Sequence, residues 1–333
     1  MKTPYQFNLP YYLGKPPRYL WSRGWYGIVD ECGDGTLSYR AQRTERRSRS
    51  LGNLIGKSGV IWLRIGSSPW HKKRPSDIIT FADQVAGRLG GKTILVTTDG
   101  DMTMPTDLPS DTVNKILDDP NIVAWYTQNY AGTPRCEKLK PIPIGLDLHT
   151  GPNSLPINPR KKASWFTSAM ENVLPVTQKT RRVWSDVHFK NNPGRHGDPR
   201  SALQEALLSK KLGKLVDIPK HRLSHKQIWE IYGRYLFVVS LPGAGLDVHR
   251  TWEALALGAI VITVHTSLDE LLAPYKVVFV NADEPEWWRV LDDQEWLKQA
   301  AELGLKGRQL DLSWRFWGQL VRESINRQVV GSN

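Results

Sequence analysis

Leu236–Val264 reads LFVVSLPGAGLDVHRTWEALALGAIVITV, and this stretch decides the fold class. LFVVSL is a short unbroken apolar run ended by Pro and Gly, as a parallel strand covered on both faces requires. Asp247 is a suitable N-cap for a helix over VHRTWEALAL, whose buried side is Val248, Trp252, Leu255 and Ala256. Gly258 stands where a helix end takes a left-handed residue. AIVITV is a second buried strand. Strand, glycine loop, helix and strand make one βαβ unit of about 30 residues.

The polar residues of this unit carry its chemistry. Gly243 and Gly245 let a ligand approach the backbone. The helix start offers N–H groups and the positive end of the dipole, an anion site. His249 and Arg250 fall in the first turn, where they oppose the dipole and suit a phosphate. Glu253 shares their face, and a carboxylate there can accept from the two hydroxyls of a ribose. A capped core helix with solvated His and Arg fits the same residues, and both readings stay open. The loop lacks the GxxxxGK[ST] of a P-loop, and Val248 occupies the third-glycine position of GxGxxG. That argues against ATP hydrolysis and NAD chemistry and leaves nucleotide-sugar binding open.

Toward the N-terminus the chain alternates from Val60. VIWLRI, KTILVTT, NIVAWYT and LKPIPIGL read as strands; SDIITFADQVAGRLG, capped by Ser76, and DTVNKILDD read as helices. This predicts an α/β fold with a parallel sheet between helices. Ligands of such sheets bind beyond the carboxyl ends of the strands. Ser67 and Ser68, Asp99 and Asp101, and Asp147 and His149 fall there. Asp99-Gly100-Asp101 has the DxD form, and two carboxylates suit Mn²⁺ or Mg²⁺. A polar strand-end turn fits those three residues equally well.

A second alternation follows GPNSLPINPRKKASW (Gly151–Trp165), which reads as a linker leading into a helix near Ser164–Leu174. RRVWSDVHF is a strand, NNPGRHGDPR a loop, SALQEALLSKKL a helix ending at Gly213, KLVDIP a strand and SHKQIWEIYGRY a helix. Beyond the central unit come SLDELLAPY as helix and KVVFV as strand. Arg200 faces the glycine loop if the two flanking strands are neighbours, and can then bond a phosphate. In the C-terminal helices Trp314 and Trp317 share a face suited to core packing, whereas Phe316 points elsewhere.

The 333 residues suffice for two cores. Cys32 and Cys136 provide neither a disulfide framework nor metal spacing. MKTPYQFNLPYYLGKPPRY has no apolar signal region. No run approaches the roughly 18 apolar residues of a membrane span. The expectation is a cytoplasmic protein without a transmembrane segment, peripheral membrane contact remaining open. The formal charge of +12 suits a nucleoside diphosphate, an acidic acceptor, an anionic membrane or nucleic acid. The basic run Arg40–Ser50 (RAQRTERRSRS) reads as a solvated loop, a phosphate contact or a nucleic-acid patch. No RNA-binding motif accompanies it, so nucleic acid is the weaker partner.

Three stretches carry a resemblance. PGAGLDVHRTWEALALGAIVI resembles the donor-site segment of exostosin-like glycosyltransferases of the GT-B class, nearest to algal, marine microbial and large-virus variants. ILVTTDGDMTMP is similar to that group's strand-and-loop LVTGDSDxxxP, and VAWYTQNYAGTPRCEKLKPIPIGLDLHT to its W(F/Y)xQN…IPIGLDxHT. Roughly Val60–Val280 is covered. The resemblance implies two Rossmann-like domains facing across a cleft: an acceptor-side domain over 1–150, a linker over 151–179 and a nucleotide-sugar domain over 180–310. A C-terminal helix over 311–333 would return to the first. It implies transfer of a hexose or pentose from a UDP- or GDP-linked sugar to a glycan or glycoprotein hydroxyl, with no obligatory cofactor and no assigned metal ligand. Arg200, Gly243, Gly245, Asp247, His249, Arg250 and Glu253 are the donor-binding candidates. Asp101 and Asp147 are the catalytic ones, with Asp101 as general base and inversion at the anomeric carbon; Ser67, Asp99 and His149 stand on the acceptor side. A metal-dependent GT-A-like transferase using Asp99 and Asp101, and a basic nucleic-acid-binding protein, are the alternatives.

Overall fold

The computed structural model describes residues 18–32, 51–66, 76–132, 137–151, 157–187 and 195–330. The basic run Arg40–Ser50, Ser67, Ser68 and Cys136 lie outside the described residues. The chain separates into two compact units. One holds the described residues of Met1–His149, Ile157–Arg160 and Leu312–Asn333, the other those of Thr150–Pro156 and Lys161–Asp311. Among the described residues no helix is long and apolar enough to cross a membrane.

Each unit is built on a five-stranded, wholly parallel, Rossmann-like sheet. In the first the strands lie side by side in chain order: β1 (Glu31–Cys32), β2 (Gly59–Gly66), β3 (Thr93–Gly100), β4 (Ile122–Thr127) and β5 (Leu139–Pro141). Strand side chains alternate between the two faces. Ile61, Leu63, Ile65, Leu95 and Trp125 share a core with Ile78, Phe81 and Ile116 of helices α1 (Ile78–Gln84) and α2 (Ser110–Leu117). Tyr126 points the other way, its hydroxyl 2.5 Å from Ser324 Oγ on the long helix Trp314–Val330. The covers of the two faces thus come from distant parts of the chain. Trp314 and Trp317 are buried and Phe316 is 38 % exposed, as their helical spacing predicts. Trp314 meets Trp25 edge-on at 5.3 Å, and Arg322 pairs with Asp30 at 3.0 Å.

In the second unit chain order and spatial order differ. Strand β6 (Thr180–Trp184) is flanked by β7 (Val216–Asp217) on one side and by β8 (Tyr235–Val239) on the other; β9 (Ile260–Val264) and β10 (Val277–Val280) follow outward. The chain therefore reverses its direction of travel between β6 and β8, and in such sheets a crevice opens beyond the strand ends at that point. Further helices among the described residues are α3 (Pro159–Glu171), whose first two residues belong to the first unit, α4 (Pro199–Leu208), α5 (His225–Arg234), α6 (His249–Ala256), α7 (Asp269–Leu272), α8 (Gln294–Gly304) and, in the first unit, α9 (Trp314–Val330).

Several local expectations are corrected. Val248, not Asp247, holds the N-cap position of α6, with no side-chain capping bond; the Asp247 carboxylate instead accepts the Trp252 indole N–H at 2.6 Å. A buried indole donor competes better for that carboxylate than helix N–H groups at the crevice. Ser76 lies one residue before the N-cap of α1, which is Asp77; Asp77 accepts the Arg64 N–H while Ser76 Oγ accepts that of Ile78. α4 stops at Leu208, short of Gly213, and begins at Pro199 behind the capping carboxylate of Asp198. LKPIPIGL is a strand only over Leu139–Pro141, because Pro141 and Pro143 lack ladder donors. The chain then crosses the N-terminal segment through a Trp21–Gly145 bridge. Gly145 has φ +72°, and a Cβ there would lie 2.3 Å from the Leu20 carbonyl oxygen. The helix expected near Ser164–Leu174 runs instead over Pro159–Glu171.

Candidate functional site

The crevice of the second unit gathers most of the donor-side candidates. Strand β6 runs out into Ser185 and Asp186, and β8 into Ser240 and the PGAG loop. Arg200, on the first turn of α4, is 6 % exposed; its Nη2 donates to the Leu241 carbonyl at 2.8 Å. A Cβ on Gly243 would sit 2.5 Å from that same nitrogen. The glycine is therefore required for the guanidinium to lie against the loop. The Gly243 N–H turns onto the Gly245 carbonyl at 2.9 Å, which closes the loop. Ser240 Oγ and Thr251 Oγ1, 2.8 Å apart, tie the end of β8 to α6.

Arg250, in the first turn of α6, crosses to the end of β6. Its Nε donates to Asp186 Oδ1 at 2.7 Å and its Nη2 to the Asp186 carbonyl at 2.9 Å. Tyr232 on α5 donates its hydroxyl to the same carboxylate, 3.0 Å from each oxygen. Burial works to lower the Arg250 pKa, but Asp186 and Tyr232 outweigh it, so the net shift is upward. Burial, with the nearby Arg250 charge, pushes Arg200 down to about 10. Both guanidiniums are thus cationic at neutral pH and close enough to repel. Glu253 is buried on α6 and acts electrostatically on Tyr232. His249 is half-buried at the helix start.

The strand ends of the first unit carry a group of their own. Asp99, with φ 63°, accepts from Arg23 Nε at 2.8 Å and from Arg64 Nε at 3.1 Å. Burial raises its carboxyl pKa, yet Arg23, Arg64 and His149 overcome this and hold it well below the usual carboxylate range. Each of its oxygens accepts from a guanidinium nitrogen, so its charge is already paired within the first unit. Gln128 and Asn129 both donate side-chain N–H groups to the Gly100 carbonyl. Asp101, half-buried, donates its N–H to the Gly66 carbonyl at 2.9 Å. Asp147 accepts the His149 N–H at 3.1 Å, and its Oδ1 is 3.3 Å from His149 Nδ1. The His149 ring stacks on Trp21 at 6.2 Å. Asp99, Asp147 and His149 are therefore gathered at one end of this sheet, with Asp101 on the following turn.

Sequence reading missed several of these groups. Arg64 had a signal, being a cation in the middle of the apolar run VIWLRI. Asp186 directly follows a strand but carries no motif. Tyr232 lies inside an ordinary amphipathic helix and had none. Gln128 and Asn129 sit within the quoted WYTQN stretch, where no role was assigned to them.

No protein-family model and no curated protein sequence matches the chain. Among solved structures it is similar to sucrose-phosphate synthase from Thermosynechococcus elongatus: 14 % identity, TM-score 0.32, 90 % of this chain and 65 % of that one. The catalytic domain of starch synthase IV from Arabidopsis thaliana gives 11 % identity and TM-score 0.37, over 79 % of this chain and 60 % of that one. UDP-GlcNAc 2-epimerase from Methanocaldococcus jannaschii gives 10 % and 0.37, over 89 % and 85 %. The chain spans less than two thirds of the first two proteins. At these scores the likeness carries no functional weight, and the exostosin-like resemblance rests on the quoted motifs alone.

Proposed function

We propose that this protein is a GT-B-type glycosyltransferase of exostosin-like character. It moves a hexose or pentose from a UDP- or GDP-linked donor to a hydroxyl of a glycan or glycoprotein. The observation that carries the reading is Arg200, buried against Gly243 at the crevice between β6 and β8 and beside Arg250. Two cations at a strand-end crevice, next to a helix start that no side chain caps, suit a diphosphate. In this reading Arg200 and Arg250 bind the phosphates, with Gly243 and Gly245 shaping the loop. His249 and Asp247 flank the site, and Glu253 accepts the ribose hydroxyls. The fixed positive charge stabilises the leaving diphosphate without an obligatory metal. Asp101 serves as base toward the acceptor hydroxyl, with Asp147 and His149 beside it, and the product is inverted.

The test is calorimetric titration with UDP, GDP and ADP, with and without EDTA, on the wild type, Arg200→Ala and Glu253→Ala. Metal-independent binding of one nucleotide, lost in Arg200→Ala and weakened in Glu253→Ala, is expected. Binding that requires Mn²⁺ and survives both substitutions would overturn the donor site. A transfer product of retained configuration would sink the role of Asp101.

A further inference from the structure

Asp186 is a carboxylate beside two arginines at a crevice read as an anion site. Taken alone it opposes an incoming phosphate. Its surroundings suggest more than a counter-charge. Three segments converge there: the chain just beyond β6 supplies the carboxylate, α5 the Tyr232 hydroxyl and α6 the Arg250 guanidinium. Asp186 is 9 % exposed and Tyr232 1 %. The hydroxyl lies 3.0 Å from each carboxylate oxygen, which fixes the rotation of the carboxylate. Arg250 then makes two bonds to one residue, through Nε to the side chain and Nη2 to the backbone. A long flexible side chain is held in one orientation by a partner that is itself held.

We propose that Asp186 and Tyr232 are positioning residues that set the Arg250 guanidinium for the diphosphate, so that this carboxylate strengthens anion binding at the crevice. The inference rests on the proposed donor site and adds to it an ordering device. Geometry and electrostatics make opposite predictions for Asp186→Asn. As a mere counter-charge, Asp186 weakens anion binding, and its neutralisation tightens it. As a positioning residue it loosens Arg250 when neutralised, and binding falls although the net positive charge has risen. A purely structural clamp would lower the unfolding temperature and leave the two ligand classes equally affected.

The experiment titrates the full chain with inorganic pyrophosphate and, separately, with uridine and guanosine. It compares wild type, Asp186→Asn and Tyr232→Phe, with thermal unfolding of each. Pyrophosphate affinity is expected to fall roughly tenfold or more in Asp186→Asn and about threefold in Tyr232→Phe, with nucleoside affinity unchanged. Pyrophosphate affinity that is unchanged or higher in a folded Asp186→Asn overturns the proposal. If Asp186→Asn does not fold, Tyr232→Phe decides, since it removes one hydroxyl and keeps the ion pair; unchanged pyrophosphate affinity there overturns it. Wild-type protein that binds no pyrophosphate also overturns it. Pyrophosphate binding that depends on Asp186, in a protein that transfers no sugar, supports the positioning role and defeats the glycosyltransferase reading.

Discussion

Asp99 separates charge from motif. Its sequence context suggests a metal ligand, but its partners make it the anion of a buried pair with Arg64, which is wholly buried, and with Arg23. Removing one member of such a pair leaves an uncompensated charge and costs about 3–5 kcal/mol. Asp99→Asn is therefore expected to destabilise the first unit by a free energy of that order, read from its urea unfolding curve. The pH dependence has a defined sign. The folded pKa lies below the ordinary value of 3.8, so the contribution is complete above pH 3.8 and is lost as pH falls toward the folded value. Acid titration of wild type against Asp99→Asn checks this: the stability difference should vanish only in acid. Arg64 was legible as an anomaly in an apolar strand, but its partner was not, because strand neighbours are set by the sheet and not by sequence spacing.

At the scale of elements, the glycine loop and α6 were legible because apolar runs, a helix period and punctuating glycines coincide over Leu236–Val264. The cap was misread, since Asp247 is drawn away by Trp252, a contact the one-dimensional pattern does not rank. Gly243→Ala would place a methyl group 2.5 Å from Arg200 Nη2 and drive the guanidinium off the Leu241 carbonyl. Loss of that charge-assisted contact is expected to cost the second unit about 1.5–3 kcal/mol of stability, and the displaced guanidinium is expected to weaken nucleotide binding. Calorimetry and thermal melts together test it. Lys179 joins elements in another way: its buried ammonium donates to the carbonyls of Tyr232, Gly233, Tyr235 and Leu257, around the ends of α5 and α6. Burial, with Lys276 nearby, lowers its pKa from 10.5 to about 8. The unfolded chain then binds more protons between those values, so stability should rise with pH from about 8 to 10.5 relative to Lys179→Met. Denaturation of both proteins at pH 7 and pH 10 measures the difference; a gap independent of pH would contradict it.

At the scale of the whole molecule, alternation of strands and helices made two parallel sheets legible, but strand order was not. Nothing local distinguishes the sequential first sheet from the second, whose chain doubles back beside β6. That reversal places Asp186, Arg200, Gly243 and Arg250 together. Two cores predict two calorimetric transitions. Trp317→Ala, in a buried position of the first unit, is expected to cost that unit about 3–5 kcal/mol and so lower the temperature of one transition. A bound nucleoside diphosphate is expected to raise the other; a ligand that raises only the transition affected at Trp317 would place the donor site in the wrong unit.

The sequential sheet also has a consequence for synthesis. One face of β3 and β4 is covered by α9, which leaves the ribosome after every residue of the second unit has been made. The first unit therefore waits with one sheet face uncovered until the whole sequence of the second unit has been made. Until α9 is made, that uncovered face is open to wrong partners.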